Sequence, residues 1–321
     1  MTVCSQKNIS VVIPVFRNQE TIEETCLQIF NVYQQTFSQH ELEIVLVDDG
    51  SDDDSYKKLL SIYERYPEKI VIVKLSRNFG QLFAILAGYS IARGDAIITI
   101  SADLQDPVSL MADMVAHWEQ GNEIVVAYRQ GREDDIAARL FSKAAYSVAK
   151  KANPNMPSGG FDYLLLSRKA VDLLKAFHGR HRFFQGDVLW LGLKTVFIPY
   201  IRKKRKFGKS GWSFSRKIKY FIDLILDSSY LPIRLMSAVG VITALTGCVY
   251  AIAIVYAWLV NQTPFQGWAP LMIIVLLVGG MIMTMLGVIG EYLWRIYDDV
   301  RERPMYVIDK IICDETQTKI K

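Results

Sequence analysis

The chain is poor in cysteine and histidine, with four of each in 321 residues. Cys4, Cys26, Cys248 and Cys313 are scattered, with no disulfide framework and no metal-ligand spacing, so a stapled secreted domain is excluded and a reducing cytosol is expected. His178 and His181 stand three apart, but no Cys or acid lies at ligand spacing beside them. No secretory signal is expected at the start: residues 1–8 are polar, and residues 9–14 are too short for its apolar core. No G-x-G-x-x-G follows the first apolar stretch, which disfavours a dinucleotide site of the NAD type. Charge is missing from two long runs, 26 residues over 235–260 and 28 residues over 263–290. Roughly 20 apolar residues cross a bilayer core, so each run is long enough for a span. Two neighbouring buried core helices are the alternative, but such helices rarely lack charge for so long.

Acids are the next absence. Between Arg202 and Lys219 lie nine Lys/Arg and no Asp or Glu, within a chain of net charge +4. A basic run suits nucleic acid or anionic lipid. Here it precedes a candidate span, so lipid headgroups or a lipid phosphate are the expected partners and nucleic acid is not. Within residues 215–229, Ile218, Phe221, Ile222 and Ile225 share one helical face while Lys217, Lys219 and Asp223 lie elsewhere. That pattern suits a helix lying in the membrane interface, or one packed on a soluble domain. The connector 261–267 is uncharged and both flanks of the pair are basic, which places both termini in the cytoplasm.

What the first 201 residues do have is alternation. Apolar runs at 9–14, 43–47, 70–75, 96–100 and 123–128 are separated by helical patterns at 20–36, 54–66, 81–93 and from Pro107 to about 120. Gly94 and Gly121 stand where helix ends need glycine. Strands alternating with helices predict an α/β, Rossmann-like, mostly parallel sheet covered on both faces. Beyond Arg129 the pattern loosens: helices over 134–151, 169–177 and 183–191, strands over 161–166 and 195–201, a loop rich in Pro and Gly over 153–160 and a Lys/Gly/Ser loop over 203–213. The expected divisions are 1–201 as the catalytic domain, 202–233 as basic loop and interfacial helix, 234–297 as two spans, and 298–321 as a cytosolic tail.

Successive carboxyl ends of a parallel sheet lie on one edge. The first strand brings Pro14, Asn18 and Glu20 there, the second Asp48 and Asp49, the fourth Asp103, Gln105 and Asp106. Clustered carboxylates repel unless a cation or a bound base intervenes. Mg²⁺ suits one or two carboxylates plus phosphate oxygens, and an Asp can accept the imino N–H of a uracil-type base. A nucleoside diphosphate meets both needs. Ordinary helix caps are the alternative, and they are the preferred reading for residues 52–54 but not for Asp48, Asp49 or Asp103.

These residues resemble a known family. Val11-Val12-Ile13-Pro14-Val15-Phe16, Val47-Asp48-Asp49-Gly50-Ser51, Arg77-Asn78-Phe79-Gly80-Gln81, Ser101-Ala102-Asp103-Leu104-Gln105-Asp106-Pro107, Gly159-Gly160-Phe161-Asp162 and Gly290-Glu291-Tyr292-Leu293-Trp294-Arg295 with Arg303-Pro304 are similar to the motifs of family-2 glycosyltransferases of the GT-A fold. The matching branch holds the dolichyl- and polyprenyl-phosphate sugar synthases and the bactoprenol glucosyltransferases. The resemblance implies a UDP-sugar held by Pro14, Phe16, Asn18, Glu20, Asp48, Asp49, Asn78, Gln81 and Asp103. It implies Mg²⁺ or Mn²⁺ on Asp103 and Gln105, and an acceptor phosphate near Arg129, Arg139, Lys143, Arg202 and Arg205. Asp162 would orient the donor sugar, so Asp103, Asp162 and Arg129 are the implied catalytic set.

The implied reaction is inverting transfer of a hexose, glucose by resemblance, from its UDP donor to undecaprenyl phosphate. Its implied place is a multi-pass protein of the bacterial inner membrane, forming a homotetramer and serving cell-surface glycan modification. Two departures stand out. Ser101 sits where the family often has the first Asp of Asp-x-Asp, and the family's Asn-Glu is split here as Asn18-Gln19-Glu20. A processive polysaccharide synthase would carry Gln-x-x-Arg-Trp, but Gln185 and Trp190 lack that Arg. A non-catalytic membrane scaffold is the remaining alternative, at odds with intact Asp48, Asp49, Asp103 and Gln105.

Overall fold

The computed structural model describes residues 7–130, 156–157, 161–177, 179, 182–202, 231–260 and 269–314. Short runs of β-branched residues build the sheet. Strands β1 (Asn8–Val15), β2 (Glu41–Asp48), β3 (Ile70–Leu75) and β4 (Ala96–Thr99) are almost wholly buried, as parallel strands covered on both faces must be. Helices α1 (Ile22–Thr36), α2 (Ser55–Arg65) and α3 (Gln81–Ile91) make the crossovers between them. Then follow α4 (Leu110–Glu119), β5 (Ile124–Arg129), β6 (Tyr163–Ser167), α5 (Arg168–Lys175), α6 (Phe184–Trp190) and β7 (Thr195–Tyr200). The strand order is β7-β5-β6-β4-β1-β2-β3-β8, where β8 is Ile308–Ile312.

Two strands break the parallel pattern, and both matter. β6 lies antiparallel between β4 and β5. Its amino end, just after Asp162, therefore reaches the same sheet edge as the carboxyl ends of β1, β2, β4, β5 and β7. The segment expected as a tail over 298–321 carries β8. It pairs antiparallel with β3, and Ser76 N–H donates to the Val307 carbonyl at 3.0 Å.

Gly94 is not the helix-ending glycine that its position suggested. Helix α3 ends at Ile91 with Ala92 as its cap, and a Cβ on Gly94 would stand 2.4 Å from the Ser10 nitrogen. Glycine is needed there so that the chain can pass against β1. Gly121 does take a left-handed φ of 83° after α4. The acids before α2 also share their work differently from simple caps. Asp53 accepts the Ser55 N–H at 3.0 Å, while Asp54 at the cap position pairs with Lys57 at 2.7 Å.

By contacts the chain divides into two units, 1–219 with 304–321, and 220–303. The second holds α7 (Leu231–Leu259), 29 residues, and α8 (Ala269–Val300), 32 residues. The two helices touch where the Gly240 backbone approaches the Met285 methyl and the Thr243 hydroxyl meets Met281 Sδ at 3.1 Å. Among the described residues, Leu277–Val300 is long and apolar enough to cross a membrane, with 24 residues at a mean hydropathy of 1.5. Leu235–Tyr250 is a shorter apolar stretch. Large apolar side chains such as Leu245, Ile252, Leu277 and Met283 stand exposed on both helices. The expected helix over 134–151, the basic loop over 203–213 and the interfacial helix over 215–229 lie outside the described residues.

Candidate active site

The end of β2 forms one side of the site. Asp48 is fully buried, its Oδ1 accepts the Ser51 N–H at 3.2 Å, and its Oδ2 is buried without a partner. A buried carboxylate oxygen with no donor is one that a ligand N–H can satisfy. Asp49 is occupied: its two oxygens accept the backbone N–H groups of Phe79 (2.7 Å) and Gly80 (2.9 Å), tying the loop after β3 to β2. Gly50, at φ 67°, allows the close approach, because a Cβ there would lie 2.5 Å from the Arg77 carbonyl carbon. Burial pushes both carboxyls above their usual range, against the pull of the Ser51 bonds at Asp48 and of the Phe79 and Gly80 N–H groups at Asp49.

An acid whose folded pKa lies above its unfolded value, 3.8 here, costs stability once ionised. The cost is absent below pH 4 or so, and complete above the folded pKa. Asp48→Asn is therefore expected to raise the melting temperature of the unliganded protein at pH 7, with the gain fading as the pH falls toward 4. Thermal scans at pH 4 and pH 7 check this. A lower melting temperature at pH 7 sinks the reading of Asp48 as held for a ligand.

The loop after β4 is the second wall. Asp103 Oδ1 accepts from the Ser101 hydroxyl and, at 3.2 Å, from the Gln105 N–H. Leu104 between them takes a left-handed φ of 58°, an uncommon conformation for a branched residue and one that marks a constrained turn. Thr21 anchors this loop to α1, its hydroxyl donating to the Ala102 carbonyl at 2.6 Å. Asp103 Oδ2 lies 3.8 Å from the Arg202 guanidinium, whose Nε lies 3.6 Å from Asp106.

Arg129, at the end of β5, is the third part. It is buried and paired with Asp162 at 2.8 Å. Gln185 on α6 donates to the other Asp162 oxygen at 3.2 Å. Burial works against the Arg129 charge, but Asp162, Tyr200 and Asp106 outweigh it and hold the guanidinium protonated. Asp106 is pushed up by burial and pulled back by the Tyr200 hydroxyl and by Arg202. Burial and Asp106 together keep the Tyr200 phenol neutral.

Pro14 is the buried penultimate residue of β1, and Phe16 just beyond the strand is exposed. Asn18 is fixed in a turn, accepting the Phe16 N–H at 3.0 Å, whereas Glu20, Asn78 and Gln81 are exposed. Asp48, Asp49, Asp103, Gln105, Arg129, Asp162 and Arg202 are all carried by segments that end at one sheet edge. Arg139, Lys143 and Arg205 lie outside the described residues. Two contributors escaped the sequence reading: Thr21, hidden as a helix-start residue, and Tyr200, hidden as the last residue of an apolar strand.

Among the described residues no group of three His, Cys, Asp or Glu could hold a metal alone. The set that the resemblance implies is one carboxylate, Asp103, with the Gln105 amide. That fits a hard cation whose other ligands are phosphate oxygens and water, and does not fit a cation held by protein alone.

An open, mostly parallel sheet with its acids gathered at the carboxyl edge defines an α/β domain built to bind at that edge. The chain belongs to glycosyl transferase family 2, whose model matches residues 10–174. It is a glycosyltransferase. It is 34% identical over 95% of its length to the undecaprenyl-phosphate 4-deoxy-4-formamido-L-arabinose transferase of Klebsiella pneumoniae, covering 94% of that protein. It is 32% identical over 94% of its length to the SfII prophage-derived bactoprenol glucosyl transferase of Shigella flexneri, covering 97%. Glucosyl-3-phosphoglycerate synthase from Mycobacterium tuberculosis shares the fold, with a TM-score of 0.50 at 15% identity over 69% of this chain and 80% of that one.

Proposed function

We propose that this glycosyltransferase moves a hexose, glucose from UDP-glucose, onto a membrane polyprenyl phosphate with inversion at the anomeric carbon. One observation carries the reading. A single sheet edge gathers a buried carboxylate with an orphan oxygen, an acidic loop, and a buried arginine, in a chain that also holds a stretch able to cross a membrane. The two relatives just described are named for a polyprenyl lipid, undecaprenyl phosphate in one and bactoprenol in the other, and for different sugars, so the lipid is the shared feature and the sugar the variable one.

The residues divide the work as follows. Asp48 would accept from the nucleobase, and Asp49 would shape the loop beside it. Asp103 and Gln105 would hold Mg²⁺ or Mn²⁺ together with the diphosphate. A bound divalent cation supplies charge neutralisation to the departing diphosphate. The acceptor phosphate, with a second pKa of about 6, is largely dianionic at pH 7 and needs no general base. Arg129 would orient it, since a guanidinium fork matches phosphate oxygens, with Arg139, Lys143, Arg202 and Arg205 as further partners and Asp162 facing the sugar. One displacement turns an α-linked donor into a β-linked product.

Both α7 and α8 would cross the bacterial inner membrane, the catalytic domain and termini lying in the cytoplasm. Exposed apolar side chains around both helices support this, because lipid is the solvent such surfaces fit. The basic segment from Arg202 would hold the site against the membrane surface, in a homotetramer by resemblance. The test is purified protein in detergent with undecaprenyl phosphate, Mg²⁺ and a panel of UDP-sugars. A single hexosyl phospholipid, made from UDP-glucose and β-configured by NMR, is the expected product. Polymer, an α-linked product, or no lipid product with any donor overturns the proposal.

A further inference from the structure

Tyr200 closes β7 directly opposite Arg129 in the parallel β5–β7 register. Its phenol oxygen lies 2.6 Å from Asp106 Oδ1 and 3.4 Å from Arg129 Nε. The direction of each bond is fixed by chemistry. A guanidinium can only donate and a carboxylate can only accept, so Arg129 Nε–H donates to the phenol oxygen and the phenol O–H donates to Asp106. The second contact is long and the first short, so Asp106 fixes the phenol and the phenol then bounds the guanidinium.

All three groups are buried. The Tyr200 ring is held edge-on against Tyr163, 6.2 Å between centroids, which leaves the hydroxyl little choice of position. At its other end Arg129 is fixed by Asp162. Two anchors on a planar group set its plane, and one of them, Tyr200, is itself held by Asp106 of the loop that carries Asp103 three residues earlier. Removing either anchor leaves the guanidinium free to turn about the other.

We propose that Tyr200 is a positioning residue, which ties the orientation of Arg129 to the Asp103–Asp106 loop and so couples the acceptor side of the site to the donor side. This rests on the placement of Arg129 at the acceptor phosphate given above. A purely structural tyrosine would act through its ring, which Tyr200→Phe keeps. A positioning tyrosine acts through its hydroxyl, which that change removes.

The experiment is steady-state kinetics of the full chain with undecaprenyl phosphate and UDP-glucose. Tyr200→Phe is expected to raise the lipid KM about tenfold, the scale of one lost hydrogen bond to a charged group, with the UDP-glucose KM within about twofold of normal. In an Arg129→Gln background the same change is expected to add nothing, because the group it positions is gone. A silent Tyr200→Phe beside a responsive Arg129→Gln overturns this inference alone, as do effects that multiply in the double variant or shift both KM values equally. An Arg129→Gln enzyme with a normal lipid KM overturns the acceptor assignment as well. Should Tyr200→Phe fail to fold, Asp106 answers the same question. Asp106→Asn, whose amide oxygen still accepts the phenol proton, is expected to raise the lipid KM less than Asp106→Ala, and equal effects overturn the inference.

Discussion

Asp103→Ala is expected to abolish sugar transfer to polyprenyl phosphate, lowering turnover by about 10³-fold, while the protein still folds. The fall is large because Asp103 is the one carboxylate of the proposed cation set, and charge neutralisation at a leaving group commonly contributes 10²–10³ or more. With Ser101 beside it where a second acid often stands, no group of three His, Cys, Asp or Glu among the described residues is placed to take over. Folding survives because the loop is anchored elsewhere, by the Thr21 hydroxyl on the Ala102 carbonyl, and because Arg202 keeps Asp106 as a partner. The check is transfer in detergent with Mg²⁺ beside a thermal melt. Near-normal turnover sinks the cation assignment, whatever the melt shows.

Deleting residues 306–321 is expected to lower the melting temperature of the catalytic domain by roughly 5–10 °C, whereas deleting 315–321 leaves it unchanged. The first deletion removes β8 and the second spares it. Without β8 the N–H and C=O groups along one side of β3 lose their partners, beside Ile70 and Ile72, which are now fully buried. A bare apolar edge strand also invites pairing between molecules, so the shorter chain should aggregate on heating. The scale follows from a loss of about 2–3 kcal/mol in a domain of some 200 residues. Equal melting temperatures for the two deletions would show that β8 is an ornament on the sheet.

Much of the fold was legible because local patterns and tertiary environment agreed. Residues 70–75 read as a strand and form one to the residue, since a run such as Ile70-Val71-Ile72-Val73 has no other buried form so short. The helix starting at Gln81 is equally plain, but its end is not. Gly94 looks like a stop signal in sequence, and only the Ser10 backbone 2.4 Å from where its Cβ would be reveals a packing glycine. The acids were legible as a group through the rule of parallel strand ends. Their separate tasks were not. Asp48 and Asp49 are neighbours of one type, yet one keeps an unpartnered oxygen and the other ties down the loop after β3.

The sequence by itself determined an alternating α/β domain, the acids at its carboxyl edge, two long uncharged runs after it, and the family to which these belong. Periodicity, charge and short motifs are local, so they survive in one dimension. Tertiary structure alone decided which residues stand together from afar. Antiparallel β6 turned Asp162 toward Arg129, 33 positions before it, and register on β5 put Tyr200 between Arg129 and Asp106, 94 positions away. The tail crossed back to close the edge of β3. Strand order and register are set by the packing of whole faces, and no window of residues along the chain contains them.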